Sequence, residues 1–206
     1  MQKQGSKLPQ NLVKKIQLKE HRKKWSATHQ GLIFGVENEP VAADLYKEYL
    51  LSLPDIKEVT VQETGSIILD KDDDVLAASP DRIATIVYAN GDIEYRNVEV
   101  KCLESKQDMS PETAINNHQK ESSFPFMELN SVFVVKEKHK YWFQSQMQMG
   151  VSGIPLTDFV IFTSNTFPVL VLKVTSSSRW DDELLFTRNI SQNKNSCVFR
   201  TAKQHY

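Results

Sequence analysis

An α/β (α+β) architecture, a central mixed β-sheet flanked by helices, is predicted by three features of the chain. Apolar residues recur at helical spacing in separated stretches, and strand-like apolar or alternating runs fill the intervals between them. The composition, 40% hydrophobic and 25% charged over 206 residues, is that of an ordinary globular domain. The predicted order is helix, mixed sheet, helix, strands, helix, which fits helices packed on a mostly central sheet. Neither an internal repeat nor a domain boundary breaks the pattern. Residues 11–206 therefore read as a single domain, with residues 1–24 as a basic arm belonging to it.

The elements follow in order. Leu12, Val13 and Ile16 make a short apolar stripe in a basic segment, which predicts a helix. Glu37 to Leu51 reads as a longer helix with Val41, Leu45, Leu50 and Leu51 on its apolar side, Pro40 in its first turn and Pro54 beyond its end. Residues 58–62 and 66–69 are strand-like. The charged segment Lys71-Asp72-Asp73-Asp74 lacks the glycine and closing glutamate of a calcium loop and predicts a plain turn. Arg82 to Ala89 and Ile93 to Leu103 form two strands about a turn at Asn90-Gly91. Residues 105–130 are polar and irregular, apart from a short helix starting at Pro111. Ser131 to Val135 is a strand, and His139 to Val151 a helix closed by Gly153 and Pro155. Asp158–Thr163 and Pro168–Val174 are apolar strands, and a last helix begins at Trp180.

Charge and cysteines narrow the class. Residues 1–24 hold eight Lys/Arg against one acid, Glu20, while the rest holds seventeen against twenty-five acids, a net charge of −8. A basic arm on an acidic body can track a phosphate backbone, and it can equally be a solvated terminus. No apolar run is long enough to span a bilayer, and the polar start Met1-Gln2-Lys3-Gln4-Gly5 lacks a secretory core. Cys102 and Cys197 offer no disulfide framework, and Cys102 is expected as a buried free thiol. An intracellular protein without membrane association is expected.

The chemistry concentrates around one hairpin. In Asn97-Val98-Glu99-Val100-Lys101-Cys102 the residues alternate, so Glu99 and Lys101 share one strand face and Val98, Val100 and Cys102 the other. With Asp81 arriving from the neighbouring strand, these make a compact oxygen site for a hard divalent cation beside an ammonium. Glu-x-Lys by itself also fits the solvated face of an edge strand. A two-residue Asn90-Gly91 loop would set Asp81 opposite Val100, on the wrong face for Glu99. The site therefore requires a three-residue loop, a bulge, or Asp81 placed just before regular pairing, and Pro80 favours the last.

Ser79-Pro80-Asp81 followed by Glu99-Val100-Lys101-Cys102 resembles the PD-(D/E)XK nuclease signature. The wider pattern is similar to the YqaJ branch, the family of phage lambda exonuclease and viral alkaline nucleases. Further segments agree: Leu12-Val13-Lys14-Lys15-Ile16, Gly35-x-x-x-Glu39-Pro40-x-Ala42-x-x-x-Tyr46, Asp108-Met109-Ser110-Pro111-Glu112-x-Ala114 and Tyr141-x-x-Gln144-x-Gln146-x-Gln148-Met149. The resemblance covers about residues 11–190. Leu103 stands where many relatives carry proline.

The resemblance implies a restriction-endonuclease-like core and a metal-dependent deoxyribonuclease. The expected activity is 5′→3′ digestion of one strand of linear duplex DNA in recombination, repair or viral DNA processing. It implies Mg²⁺, with Mn²⁺ as a substitute, held by Asp81, Glu99, the Val100 carbonyl and Glu39. It gives Lys101 the attacking water or the phosphate charge, and Gln144 the orientation of Lys101 or the water. Lys14, Lys15, Arg22 and Lys23 of the arm would meet nucleic acid, and Tyr141 and Gln148 would pack or face DNA. A single-strand annealing protein is an expected partner, the chain is a homotrimer or a monomer, and the nucleus or cytoplasm of a host cell is its place if it is viral or eukaryotic. Two alternatives stand beside this: a structure-selective DNA or RNA endonuclease on the same core, and a non-catalytic nucleic-acid-binding module.

Overall fold

A computed structural model describes residues 30–71 and 74–178. The basic arm with its expected first helix, Cys197 and the helix predicted from Trp180 lie outside the described residues. Helix α1 spans Gln30–Leu51 and begins well before the predicted start at Glu37. Pro40 is therefore inside the helix and not in its first turn, where it cannot donate to the Val36 carbonyl. Packing overrides that local cost. Phe34 lies 6.1 Å from the ring of Phe162, and Ala42, Tyr46 and Leu50, one stripe at four-residue spacing, are fully buried on the sheet.

The strands are β1 (Ile56–Glu63), β2 (Ile67–Lys71), β3 (Asp74–Ala78), β4 (Arg82–Tyr88), β5 (Ile93–Cys102), β6 (Phe126–Leu129), β7 (Val132–Val135), β8 (Leu156–Phe162) and β9 (Leu170–Thr175). Five of them form the central sheet in the order β1-β4-β5-β8-β9. All neighbours run antiparallel except β5 and β8, which are parallel, so the sheet is mixed as predicted. Helix α2 (Pro111–His118) and helix α3 (Lys140–Ser152) lie in the crossover between β5 and β8. The ends of both helices follow from side chains. Ser110 caps α2 by accepting the Thr113 amide at 3.3 Å, with Pro111 at the first helical position. His139 caps α3, which ends on Gly153 in the left-handed region at φ 71°.

The sequence predicts irregular chain up to residue 130, yet Phe126–Leu129 is a strand paired with Val132–Val135. Their two-residue loop has both Asn130 (φ 52°) and Ser131 (φ 62°) in the left-handed region, the conformation of a type I′ turn. Glycine, the usual mark of that turn, is missing, and so the hairpin is hidden in the sequence. Leu103 donates its N–H to the Phe162 carbonyl at 2.8 Å and extends the β5–β8 ladder by a bond that proline could not make.

The sheet divides the core into two layers. One face packs Val59, Ala84, Ile86, Val98, Val100, Val160 and Phe162 against α1. The other packs Phe159, Ile161, Leu172 and Val174 against α3, α2 and the β6–β7 hairpin. Strand β8 is buried on both faces, as a strand with a parallel neighbour tends to be. Within its apolar run lies Asp158, with no exposed surface. One of its oxygens accepts from Tyr46 Oη at 2.7 Å and Arg96 Nη1 at 3.0 Å, which ties α1, β5 and β8 together. Burial and the Asp158 charge push the Tyr46 phenol far above its ordinary range, so it remains a donor. Among the described residues no helix is long and apolar enough to cross a membrane.

Tyr46→Phe removes one donor from this buried carboxylate while keeping the ring. It should lower stability by about 1–3 kcal/mol, read as a lower urea midpoint at unchanged slope; an unshifted midpoint would show that Arg96 alone suffices.

Candidate active site

The β4–β5 connection determines the geometry. The Tyr88 amide donates to the Asp92 carbonyl and the Gly91 amide to the Tyr88 carbonyl, both at 2.9 Å. The loop is thus Ala89-Asn90-Gly91, three residues and not two, with Gly91 at φ 91° supplying the left-handed step. Pairing runs from Val87 opposite Ile93 to Arg82 opposite Val98. Carried one residue further, that register brings Asp81 to Glu99, on the α3 side of the sheet. Asp81 also precedes the first paired residue, Arg82. The Thr64 hydroxyl holds the segment by donating to the Pro80 carbonyl at 2.6 Å.

Asp81 Oδ2 accepts the Val100 amide at 2.8 Å, where β4 no longer supplies a partner. Because the N–H and C=O of one strand residue project to the same edge, the Val100 carbonyl faces this gap as well. Glu99 is 2% exposed, and its carboxylate is closely matched. Oε1 accepts from Lys101 Nζ at 2.5 Å and Gln144 Nε2 at 2.7 Å, and Oε2 accepts from Gln148 Nε2 at 2.7 Å. Gln144 and Gln148 are one turn apart on α3, so both amides descend on the same group. Lys101 Nζ also stands 4.5 Å from the centre of the Tyr141 ring, which stacks on Phe159.

Electrostatics follow from burial and proximity. Burial, then the Glu99 charge, raise the Asp81 carboxyl to about 6, against the opposing Val100 amide and Lys101. Burial alone would lower the Lys101 ammonium, but the charge and hydrogen bond of Glu99, with Asp81, raise it on balance. Lys101 therefore stays a cation and a donor at neutral pH. Cys102, half-buried on the opposite face, is pushed up to about 12 by burial, with Glu39 and Asp81 adding to it, and so remains a neutral thiol.

The structure brings together Asp81, Glu99, Lys101, Gln144 and the Val100 carbonyl. Gln148 joins them, buried and with its amide committed to Glu99, while Tyr141 packs against Lys101. Glu39 is not in the group: its carboxylate is bound by Arg82 Nη1 at 2.6 Å, on the α1 side. Among the described residues no three His, Cys, Asp or Glu side chains gather into a ready metal shell. Lys14, Lys15, Arg22 and Lys23 lie outside the described residues. Arg82 was not anticipated. The clue was a charged residue leading an apolar alternating run, Arg82-Ile83-Ala84-Thr85-Ile86, on the face that meets α1.

The donor set suits a hard divalent cation. Its members are oxygens, Asp81 Oδ1 accepts no hydrogen bond among the described residues, and Oε2 of Glu99 carries one donor from them and keeps a lone pair. The raised Asp81 carboxyl marks negative charge that a cation would relieve.

Residues 3–155 match the family model of the YqaJ-like viral recombinase domain. Among solved structures, the chain resembles an alkaline exonuclease (LHK-Exo) from Laribacter hongkongensis at 18% identity, covering 89% of this chain and 77% of that one with a TM-score of 0.45. For LHK-Exo in complex with dAMP the figures are 19%, 89%, 80% and 0.46. No curated protein sequence matches the chain significantly.

The Asp81 carboxyl lies near 3.8 ordinarily and near 6 in the fold. The folded state thus holds a proton that the unfolded chain has released. Stability should fall as pH rises from about 4, with the loss complete above about 6. Asp81→Asn keeps an acceptor for Val100 and removes the charge. Without divalent cations it should gain on the order of 2 kcal/mol over the parent between pH 4 and pH 7, measured by urea denaturation; parallel pH profiles would contradict the assignment.

Proposed function

From the chain's membership of the YqaJ-like viral recombinase domain family, to which it belongs over residues 3–155, we propose a metal-dependent deoxyribonuclease, a 5′→3′ exonuclease digesting one strand of linear duplex DNA. The observation that carries the reading is the convergence of Asp81, Glu99 and Lys101, produced by the three-residue hairpin loop and supported by two glutamine amides from α3. Asp81, Glu99 and the Val100 carbonyl would hold Mg²⁺, with Mn²⁺ as a substitute. When bound, such a cation offsets negative charge on the scissile phosphodiester.

The remaining work belongs to the protein's own groups. Lys101 is held as an ammonium by Glu99 and Asp81, so it donates and does not accept a proton: it orients the attacking water and stabilises charge on the phosphate as the bond from water to phosphorus forms, the bond to the departing oxygen breaks and the water's proton passes to solvent. Gln144 and Gln148 hold the Glu99 carboxylate so that Lys101 cannot draw it out of position. Tyr141 limits the motion of the ammonium from its other side. Lys14, Lys15, Arg22 and Lys23 would follow the phosphate backbone, a contact without sequence information. Residues 11–206 form one nuclease domain in this reading, with the arm at 1–24 as its DNA-tracking extension.

The test is cleavage of linear duplex DNA with and without a 5′-phosphate, beside covalently closed circles and RNA, with Mg²⁺ present or chelated. Linear DNA alone should be degraded, faster with the phosphate, and Lys101→Ala should lose about a hundredfold or more of the rate. Cutting of circles or RNA would replace the exonuclease with an endonuclease. Intact binding without cleavage would leave a nucleic-acid-binding module.

A further inference from the structure

Among the described residues acids outnumber lysines and arginines, yet the segment Lys136–Lys140 holds three lysines against one acid, Glu137. It leads into α3 beside the candidate active site. None of the three lysines forms an ion pair among the described residues. Lys136 Nζ donates to the Glu121 carbonyl at 2.7 Å, while Lys138 and Lys140 are exposed. Lys140 is the first residue of α3, and its neighbours fix its place. His139 Nδ1 accepts the Tyr141 amide at 3.2 Å, and the two rings meet edge to face at 4.8 Å. Burial, then the Lys140 charge, with Lys136 adding to it, hold the His139 imidazole below its ordinary value against a backbone hydrogen bond at Ser123. The ring therefore keeps its role as a cap, and its shift marks the positive field of the segment.

Tyr141 lies between this segment and the chemistry. Its ring centre is 4.5 Å from Lys101 Nζ and 5.5 Å from Lys140 Nζ. The two ammoniums are thus at most about 10 Å apart, and each strand of duplex DNA offers one phosphate about every 3.4 Å along its axis. We propose that Lys140 holds a second backbone phosphate of the cleaved strand, within about three nucleotides of the bond that Lys101 serves. The inference rests on the nuclease reading of that site. Lys101 is tied to Glu99, whereas the donors of Lys140 have no acceptor among the described residues and remain for a ligand. The ring between the two ammoniums is itself held, because it stacks on Phe159. A phosphate contact reads no base, so it positions the strand over the cation site without sequence preference. Two phosphates held at one spacing also fix the direction in which the strand lies, which a single contact does not.

The experiment is steady-state cleavage of a short 5′-phosphorylated duplex by the full chain in Mg²⁺, over a range of KCl. Lys140→Gln should lower kcat/KM about three- to fivefold at low salt, chiefly through KM. It should also flatten the dependence of log kcat/KM on log salt by about one, the share of one phosphate contact. Lys140→Arg should restore both. A neutral methylphosphonate is then placed in turn at each linkage within that reach on either side of the cleaved bond. At one linkage it should cost the parent about the same three- to fivefold and cost Lys140→Gln nothing further, because that contact is already gone. A merely structural defect would leave the salt slope and the methylphosphonate penalty as they are in the parent. An unchanged slope, or no linkage at which the penalty disappears in Lys140→Gln, overturns the role of Lys140 and leaves the nuclease reading standing. A parent that cleaves no DNA overturns both.

Discussion

Burying the Glu99 carboxylate costs several kcal/mol unless each oxygen is matched, and that requirement shapes the α3 half of the molecule. Lys101 matches it from the same strand face, two residues on. The other donors must come from above the sheet, where α3 supplies Gln144 and Gln148 at helical spacing. For both to reach one carboxylate, α3 has to lie close over β5. The apolar residues that seat it there are Trp142 and Met149, packed on Phe159, Ile161, Leu172 and Val174. Hydrophobic packing places the helix, and the charge accounts for its polar face turning inward.

The opposite face also buries a carboxylate, Asp158, but there only one oxygen is matched and Oδ1 has no partner among the described residues. Asp158 is as deeply buried as Glu99, but its partners are a phenol and a guanidinium that a second carboxylate, Glu94, also holds at 2.6 Å. That network leaves no ammonium beside an open edge and leads to no gap in the strand pairing. It binds α1 to the sheet. Two buried carboxylates of comparable exposure therefore have different consequences. Glu99 stands at the place where β4 ends and a backbone carbonyl faces outward, whereas Asp158 is enclosed by pairing strands on both sides.

Much of this was legible in the residues. The alternation of Asn97 to Cys102 placed Glu99 and Lys101 together, and Pro111 and Gly153 marked helix ends, because these depend on local stereochemistry. Asn90-Gly91 misled in one respect: it resembles a two-residue turn, but only tertiary pairing decides whether Ala89 joins the loop. The early start of α1 at Gln30 was illegible for the same kind of reason, since glycines and a proline disfavour it locally and contact with Phe162 supports it. The commitment of Gln148 to Glu99 and of Glu39 to Arg82 lay beyond periodicity, which assigns faces but not partners.

The odd loop at the tip of the β4–β5 hairpin also constrains how this chain can change in length. Side chains alternate with a period of two, so one residue inserted or deleted between Tyr88 and Asp92 would exchange the packing face and the chemical face of β4 as a whole. Asp81 would turn towards α1, and Arg82 would be driven against the Lys101 ammonium. Length changes at this tip are therefore compatible with the site in steps of two, or with a compensating bulge. The parity of a surface turn, distant from the carboxylates along the strands, thus decides which face they occupy.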